Sequence, residues 1–141
     1  MKPKKIELLS PAGDLKRLKY ALAYGADAVY LGLPEFSLRA KTGFDFESLQ
    51  AGIAYAHKLK KKVYITINIF VHESQLKTLP KFLISLRKLK FDALIVSDPG
   101  VILLIKKYLP QTEIHLSTQA NILNSEAVKF YYQNGVRRII L

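Results

Sequence analysis

Two hydrophobic periods alternate along the chain. Short, nearly continuous apolar runs lie at Ile6–Leu9, Ala28–Leu31, Val63–Ile69, Ala93–Val96, Ile114–Thr118 and Arg137–Leu141. Between them, apolar positions fall three or four residues apart, the period of a helix with one buried stripe. Leu15, Leu18 and Leu22 form one stripe, and Phe46, Leu49, Ile53 and Ala56 form another. Leu79, Leu83 and Leu86 make a third, and Ile102 and Ile105 a fourth. The pattern therefore predicts six strands alternating with five helices, the last helix covering Asn124–Asn134.

Start and stop signals agree with this division. Asp14, Asp45 and Asp98 each stand just before a stripe, where a short carboxylate satisfies the orphan N–H groups of a first turn. Pro99 follows Asp98 at the first helical position, which tolerates a residue without an N–H. Pro80 cannot sit deep in a helix, so Thr78 is the expected cap there. Gly25 and Gly135 follow stripes as stop residues do. Gly32–Phe44 and His72–Ser74 read as loops, the first long enough to suggest a functional role.

Strands without polar alternation, separated by amphipathic helices, mean a parallel sheet covered by helices. A dinucleotide fold would want G-x-G-x-x-G after the first strand, but the first turn is S-P-A-G-D. Polar residues recur on one side of several strands: Glu7, Tyr30, Thr66 with Asn68, and His115 with Ser117. That fits the interior and mouth of a barrel. The expected fold class is α/β, a truncated (β/α)8 TIM-like barrel with six parallel strands and five helices. A full barrel takes about 250 residues, so residues 1–141 are expected to form strands one to six of one incomplete domain. The first and sixth strands would then be open edges prone to self-association.

Composition narrows the chemistry. Half the residues are hydrophobic, enough for a folded core. The chain has no cysteine, which rules out disulfides, thiolate nucleophiles and cysteine-held clusters within it. No run approaches the ~20 apolar residues of a membrane span, and the N-terminus lacks a signal-peptide core, so a cytoplasmic location without membrane contact is expected. The net charge of +11 suits a polyanionic partner. The plainer account is a solvated lysine surface, since Lys16, Lys19, Lys58, Lys60, Lys61, Lys106 and Lys107 fall on helices or at their ends.

The stretch I-H-L-S-T-Q-A-N-I-L-N, Ile114–Asn124, concentrates candidate chemistry. His115, Ser117 and Gln119 alternate and would share one strand face. His115 is a candidate acid/base and Asp98 a candidate catalytic carboxylate, or simply a helix cap. Asn68, Ser117, Gln119 and Asn121 are candidate substrate contacts at strand ends. Arg39, in the long second loop, could clamp a carboxylate or phosphate. His72-Glu73 is no metalloprotease pair, because Leu76 stands where the second histidine must be. No serine lies in G-x-S-x-G. No metal site is predicted.

Five blocks now carry a resemblance: E-L-L-S-P-A-G-D, Y-G-A-D-A-V-Y-L-G, F-S-L-R-A-K, D-A-L-I-V-S-D-P-G and I-H-L-S-T-Q-A-N. In this order they closely resemble the N-terminal part of the collagenase-like peptidases, peptidase family U32. The resemblance implies a barrel-like catalytic domain. It brings a protease label, with collagen-degrading activity attributed to some members. It also implies RNA hydroxylation, since better-understood members act on tRNA uridine or ribosomal-RNA cytidine, and others serve ubiquinone hydroxylation. The S-L-R-A-K and S-D-P-G forms look most like the tRNA-uridine branch, which implies tRNA as partner. Those members carry an iron–sulfur cluster on cysteines beyond the position of Leu141, so no cofactor is expected in this chain, and on its own it is expected to be inactive. Three functions thus stand at the outset: part of a tRNA-uridine hydroxylation enzyme, a genuine peptidase, or an inactive truncated segment.

Overall fold

The computed structural model describes residues 6–38 and 43–141. Six strands occur among them: β1 (Leu9–Pro11), β2 (Ala28–Gly32), β3 (Lys62–Ile67), β4 (Ala93–Val96), β5 (Glu113–Leu116) and β6 (Val136–Ile139). All adjacent pairs are parallel, and the spatial order is the sequence order, β1-β2-β3-β4-β5-β6. The helices between them are α1 (Leu15–Ala23), α2 (Phe46–Lys58), α3 (Glu73–Leu76), α4 (Leu79–Leu86), α5 (Pro99–Tyr108) and α6 (Ser125–Gln133). The five expected helices are all present. The sixth, α3, is a single turn where the polar His72–Ser74 suggested only loop.

Because parallel crossovers are right-handed, a strand order that always steps the same way puts every helix on the same side. The packing agrees. Val29, Leu31, Val63, Ile65, Ile67, Leu94, Val96, Ile114 and Leu116 pack with Leu18, Leu49, Leu83 and Ile105 of the helices into one core. The alternate strand positions turn the other way: Ala28, Tyr64, Ala93 and Ile95 form a second, smaller cluster with Leu9, Tyr30 and Ile140. A doubly wound sheet would carry helices on both faces. This sheet is the singly wound arc of a barrel wall, with a helical outside and a lining of its own side chains.

Several strand limits differ from the sequence reading. The first strand begins at Leu9 rather than Ile6 and includes Pro11, which an edge strand tolerates because only one side of it needs donors. The fifth strand ends at Leu116, and Thr118–Ala120 form a 3-10 turn instead of extending it. In β6 a register shift opposite Ile114 and His115 leaves Arg137 as an extra residue, so that Arg138 pairs with His115. Such a bulge reverses which residue faces inward. It turns Arg138, not Arg137, into the barrel.

Candidate functional site

The strands converge on a mouth at their C-terminal ends, where barrel chemistry is usually built. Thr66 ends the inward row of β3 together with Asn68. The Thr66 hydroxyl donates to the Leu31 carbonyl at 3.1 Å and bonds the Ser37 hydroxyl at 2.9 Å. Gly32 makes room for this pair, since a Cβ there would lie 2.0 Å from Ser37 Oγ and 2.6 Å from Thr66 Oγ1. The Asn68 N–H donates to the Phe36 carbonyl, and its side-chain amide donates to Gln119 Oε1 at 2.9 Å. Ser117 Oγ donates to the same Gln119 oxygen at 3.0 Å.

Asn68, Ser117 and Gln119 form one hydrogen-bonded group at the ends of β3 and β5. The shared strand face expected for His115, Ser117 and Gln119 does not form. Gln119 is not on the strand; the 3-10 turn folds its side chain back over Ser117. Gln119 Oε1 accepts twice, while its NH2 group donates to none of the described residues. Asn121 ends that turn in the left-handed region, at φ 53° and ψ 54°, and is exposed. Asparagine tolerates this conformation better than most residues.

Asp98 stands at the same end, after β4. Its Oδ1 accepts from the N–H groups of Gly100 and Val101 at 2.7 and 3.1 Å, so it caps α5. Arg39 lies outside the described residues.

His115 belongs to a tier beneath the mouth. It is fully buried, its ring stands edge-on to Tyr64 at 4.7 Å, and Nε2 bonds Glu113 Oε1 at 2.7 Å. Its Nδ1 is buried without a hydrogen-bond partner among the described residues. Burial pushes the imidazole below its ordinary pKa, and nearby Arg138 adds to this, against the opposing pull of Glu113. The ring is therefore neutral at pH 7.

Beside it, Arg138 Nη1 pairs with Glu7 Oε1 at 2.5 Å, and the Tyr64 hydroxyl donates to Glu7 Oε2 at 2.8 Å. Burial opposes the Glu7 charge, but hydrogen bonds from Arg138 and Tyr64 outweigh it and hold the carboxyl below its usual range. Burial and the Glu7 carboxylate push the Tyr64 phenol up to about 12.

The sequence reading missed most of this lower tier. Tyr64 and Glu113 sit on the inward alternation of their strands, a signal open to sequence analysis. Arg138 had no such signal, because only the bulge turns it inward. A separate cavity of about 610 Å³ lies outside the mouth, between the β2–α2 loop and α4. It is walled by Leu33, Phe44, Phe46 and Phe82, and none of the described candidate residues lines it.

Among the described residues, no helix is long and apolar enough to cross a membrane, and no group of three His, Cys, Asp or Glu is placed to hold a metal ion.

Comparison with known proteins gives the fold a family. The chain is 51% identical over 138 residues to the tRNA hydroxylation protein P of Escherichia coli, covering 97% of this chain and 30% of that protein. It is 53% identical over 137 residues to the protein of the same name from Helicobacter pylori, covering 96% of this chain and 32% of the relative. A collagenase of Porphyromonas gingivalis is 30% identical over 127 residues, covering 89% of this chain and 30% of that protein. The chain thus spans about a third or less of the length of these relatives. Residues 13–141 match peptidase family U32, and the chain belongs to that family.

Proposed function

We propose that this chain is the substrate-binding wall of a tRNA-uridine hydroxylation enzyme, making strands one to six of a barrel that further polypeptide completes. The observation that carries this reading is the uncharged amide-and-hydroxyl group of Asn68, Ser117 and Gln119 at the mouth. A uracil edge offers two carbonyl acceptors and one N–H donor. The Gln119 NH2 matches a carbonyl, and the Ser117 oxygen matches the N–H. Sequence-specific RNA recognition works through such base-edge contacts to an unstacked nucleotide. The identity to two proteins named for tRNA hydroxylation supports the choice of RNA over protein.

The remaining residues take supporting roles. His115, neutral and held through Nε2 by Glu113, keeps Nδ1 as its proton-accepting atom beneath the base. Asp98 holds the N-terminus of α5 at the rim. Asn121 and Arg39 contact the backbone of the nucleotide, Arg39 through its guanidinium. An iron–sulfur cluster held by cysteine does not fit the residues present, because the chain contains no thiolate. Such a group would be held by other polypeptide. A cytoplasmic location goes with an RNA substrate.

The collagenase relative raises a peptidase reading. It lacks support in the site: the imidazoles of His57 and His115 bond Asp92 and Glu113, and neither bonds a serine hydroxyl.

The test replaces Asn68 and Gln119 with alanine in the gene that encodes the chain, with hydroxylated uridine in bulk tRNA measured by mass spectrometry. Loss of the modification, with protein level unchanged, is the expected result. Unchanged tRNA uridine hydroxylation after deletion of the whole gene would remove the reading.

A further inference from the structure

Basic side chains are unevenly placed on the barrel wall. Many of the exposed ones lie where the chain enters the strands, at the end opposite the mouth. Lys60, Lys61 and Lys62 lie between α2 and the body of β3, and Lys88 and Lys90 lie between α4 and β4. Lys106 lies in the last turn of α5, and Arg137 near the start of β6. Because the strands are parallel and adjacent, these segments form one arc. At ~4.8 Å between neighbouring strands, the arc from β3 to β6 spans about 14 Å at the sheet and more at the helical layer.

Neighbouring segments touch along it. One groove is lined by His57, Lys88 and Lys90, another by Lys106, Glu113 and Arg137. The Arg87 guanidinium donates to the Tyr108 carbonyl from Nε and Nη2, at 2.9 and 2.7 Å, and ties the ends of α4 and α5.

The acids at this end are already engaged: Asp27 with Lys61 at 3.1 Å, Asp92 with His57, and Glu113 with His115. Lys60, Lys88, Lys90 and Lys106 form no ion pair with any described residue. A helix dipole accounts for lysines in a last turn, such as Lys58, Lys106 and Lys107. It accounts less well for Lys62 and Lys90, which lie four residues beyond the last residues of α2 and α4. The mouth is mixed: Asp14, Asp45 and Asp98 stand at helix N-termini, with Lys16, Arg17, Lys77 and Lys81 near the same ends.

We propose that the strand-entry end is a docking face for RNA phosphates, separate from the mouth. Resting on the reading of the substrate as RNA, it anchors the body of the molecule, independently of sequence, while the mouth takes one nucleotide. The wall is low enough for one folded RNA to reach both ends, since β3, the longest strand at 6 residues, rises only about 20 Å.

The experiment measures binding of the purified chain to a fluorescein-labelled single-stranded RNA of ~20 nucleotides, and to an unmodified tRNA transcript, across a KCl series. One variant carries K60E, K62E, K88E and K90E. A control carries K16E, K19E, K77E and K81E, the same charge change at lysines elsewhere. Removing one lysine–phosphate pairing lowers the slope of log K against log salt by about one. The arc variant is expected to bind about 100-fold more weakly near 0.1 M salt, with a slope reduced by about three. The control should keep its slope.

Equal weakening in both variants, weakening in neither, or no binding by the unaltered chain overturns the proposal. So does tighter binding to phosphatidylglycerol vesicles than to RNA, abolished by the same variant, which would make the face a membrane surface. Should the charge reversals unfold the chain, lysine-to-glutamine changes at the same four positions give the same comparison. The readout is binding alone. Normal tRNA modification after the Asn68 and Gln119 changes would strike the mouth reading and leave this result standing.

Discussion

At the scale of single residues, the interior trio Glu7, Tyr64 and Arg138 shows how a charge is kept inside a barrel. Arg138 and the Tyr64 hydroxyl together occupy both Glu7 oxygens. Removing one partner leaves a half-buried carboxylate short of a bond, so Arg138→Met should destabilise the chain by about 1–3 kcal/mol, read as a lower urea midpoint. Tyr64→Phe should cost less, because the Arg138 bond remains. Gly32 is a second sensitive point. It adopts an ordinary strand conformation, yet alanine there collides with Ser37 and Thr66. Gly32→Ala should therefore break the hydroxyl pair and lower the melting temperature, and Ser37→Gly in the same chain should recover part of that drop. Sequence periodicity placed Thr66 inside, because alternation along a strand is local. It could not place Ser37, which reaches the site from a loop and bonds a residue 29 positions away.

At the scale of elements, α1, α2 and α5 are each held by a capping aspartate and a buried stripe. Asp98 caps α5 with two backbone bonds. Asp98→Ala should cost about 1 kcal/mol, whereas Asp98→Asn should retain nearly full stability, since the amide oxygen accepts the same bonds. If Asp98→Asn also preserves tRNA modification in cells, the carboxylate acts only as the cap. Leu83 of α4 is fully buried against the sheet, and Leu83→Ala should cost about 2–5 kcal/mol. Helix existence was readable because stripes and caps are short-range features. Strand ends were not. β5 stops at Leu116 because its last residues turn to bring Gln119 toward Asn68, 51 positions away.

At the scale of the molecule, two consequences follow from the arc. β1 and β6 each have one strand neighbour among the described strands, leaving backbone donors and acceptors at both edges. The 141-residue chain should self-associate or melt broadly, with a midpoint that rises with concentration. A sharp monomeric transition, independent of concentration, would contradict this. Stability should also depend on pH in a stated direction. His115 and Glu7 are both held below their ordinary values of 6.5 and 4.5. In each case the unfolded chain binds the proton more readily, so the stabilisation is complete above pH 6.5. It disappears as the pH falls, first through the histidine and then through the carboxylate. Urea midpoints from pH 7.5 to 4 should decline accordingly, and His115→Gln should flatten the upper part of the curve.

The class of this protein is legible in its residues alone: alternating strand and helix periods, caps and stops at their borders, an apolar fraction sufficient for a core, and blocks that carry a family likeness. Those features depend on residues close together in the chain, so they can be read without a fold. It took the folded chain to put the helices on one side, to bring Arg138 rather than Arg137 into the barrel, and to join Asn68 to Gln119 while His115 turns to Glu113. These depend on strand order, a one-residue bulge and the meeting of distant segments, which no local pattern encodes.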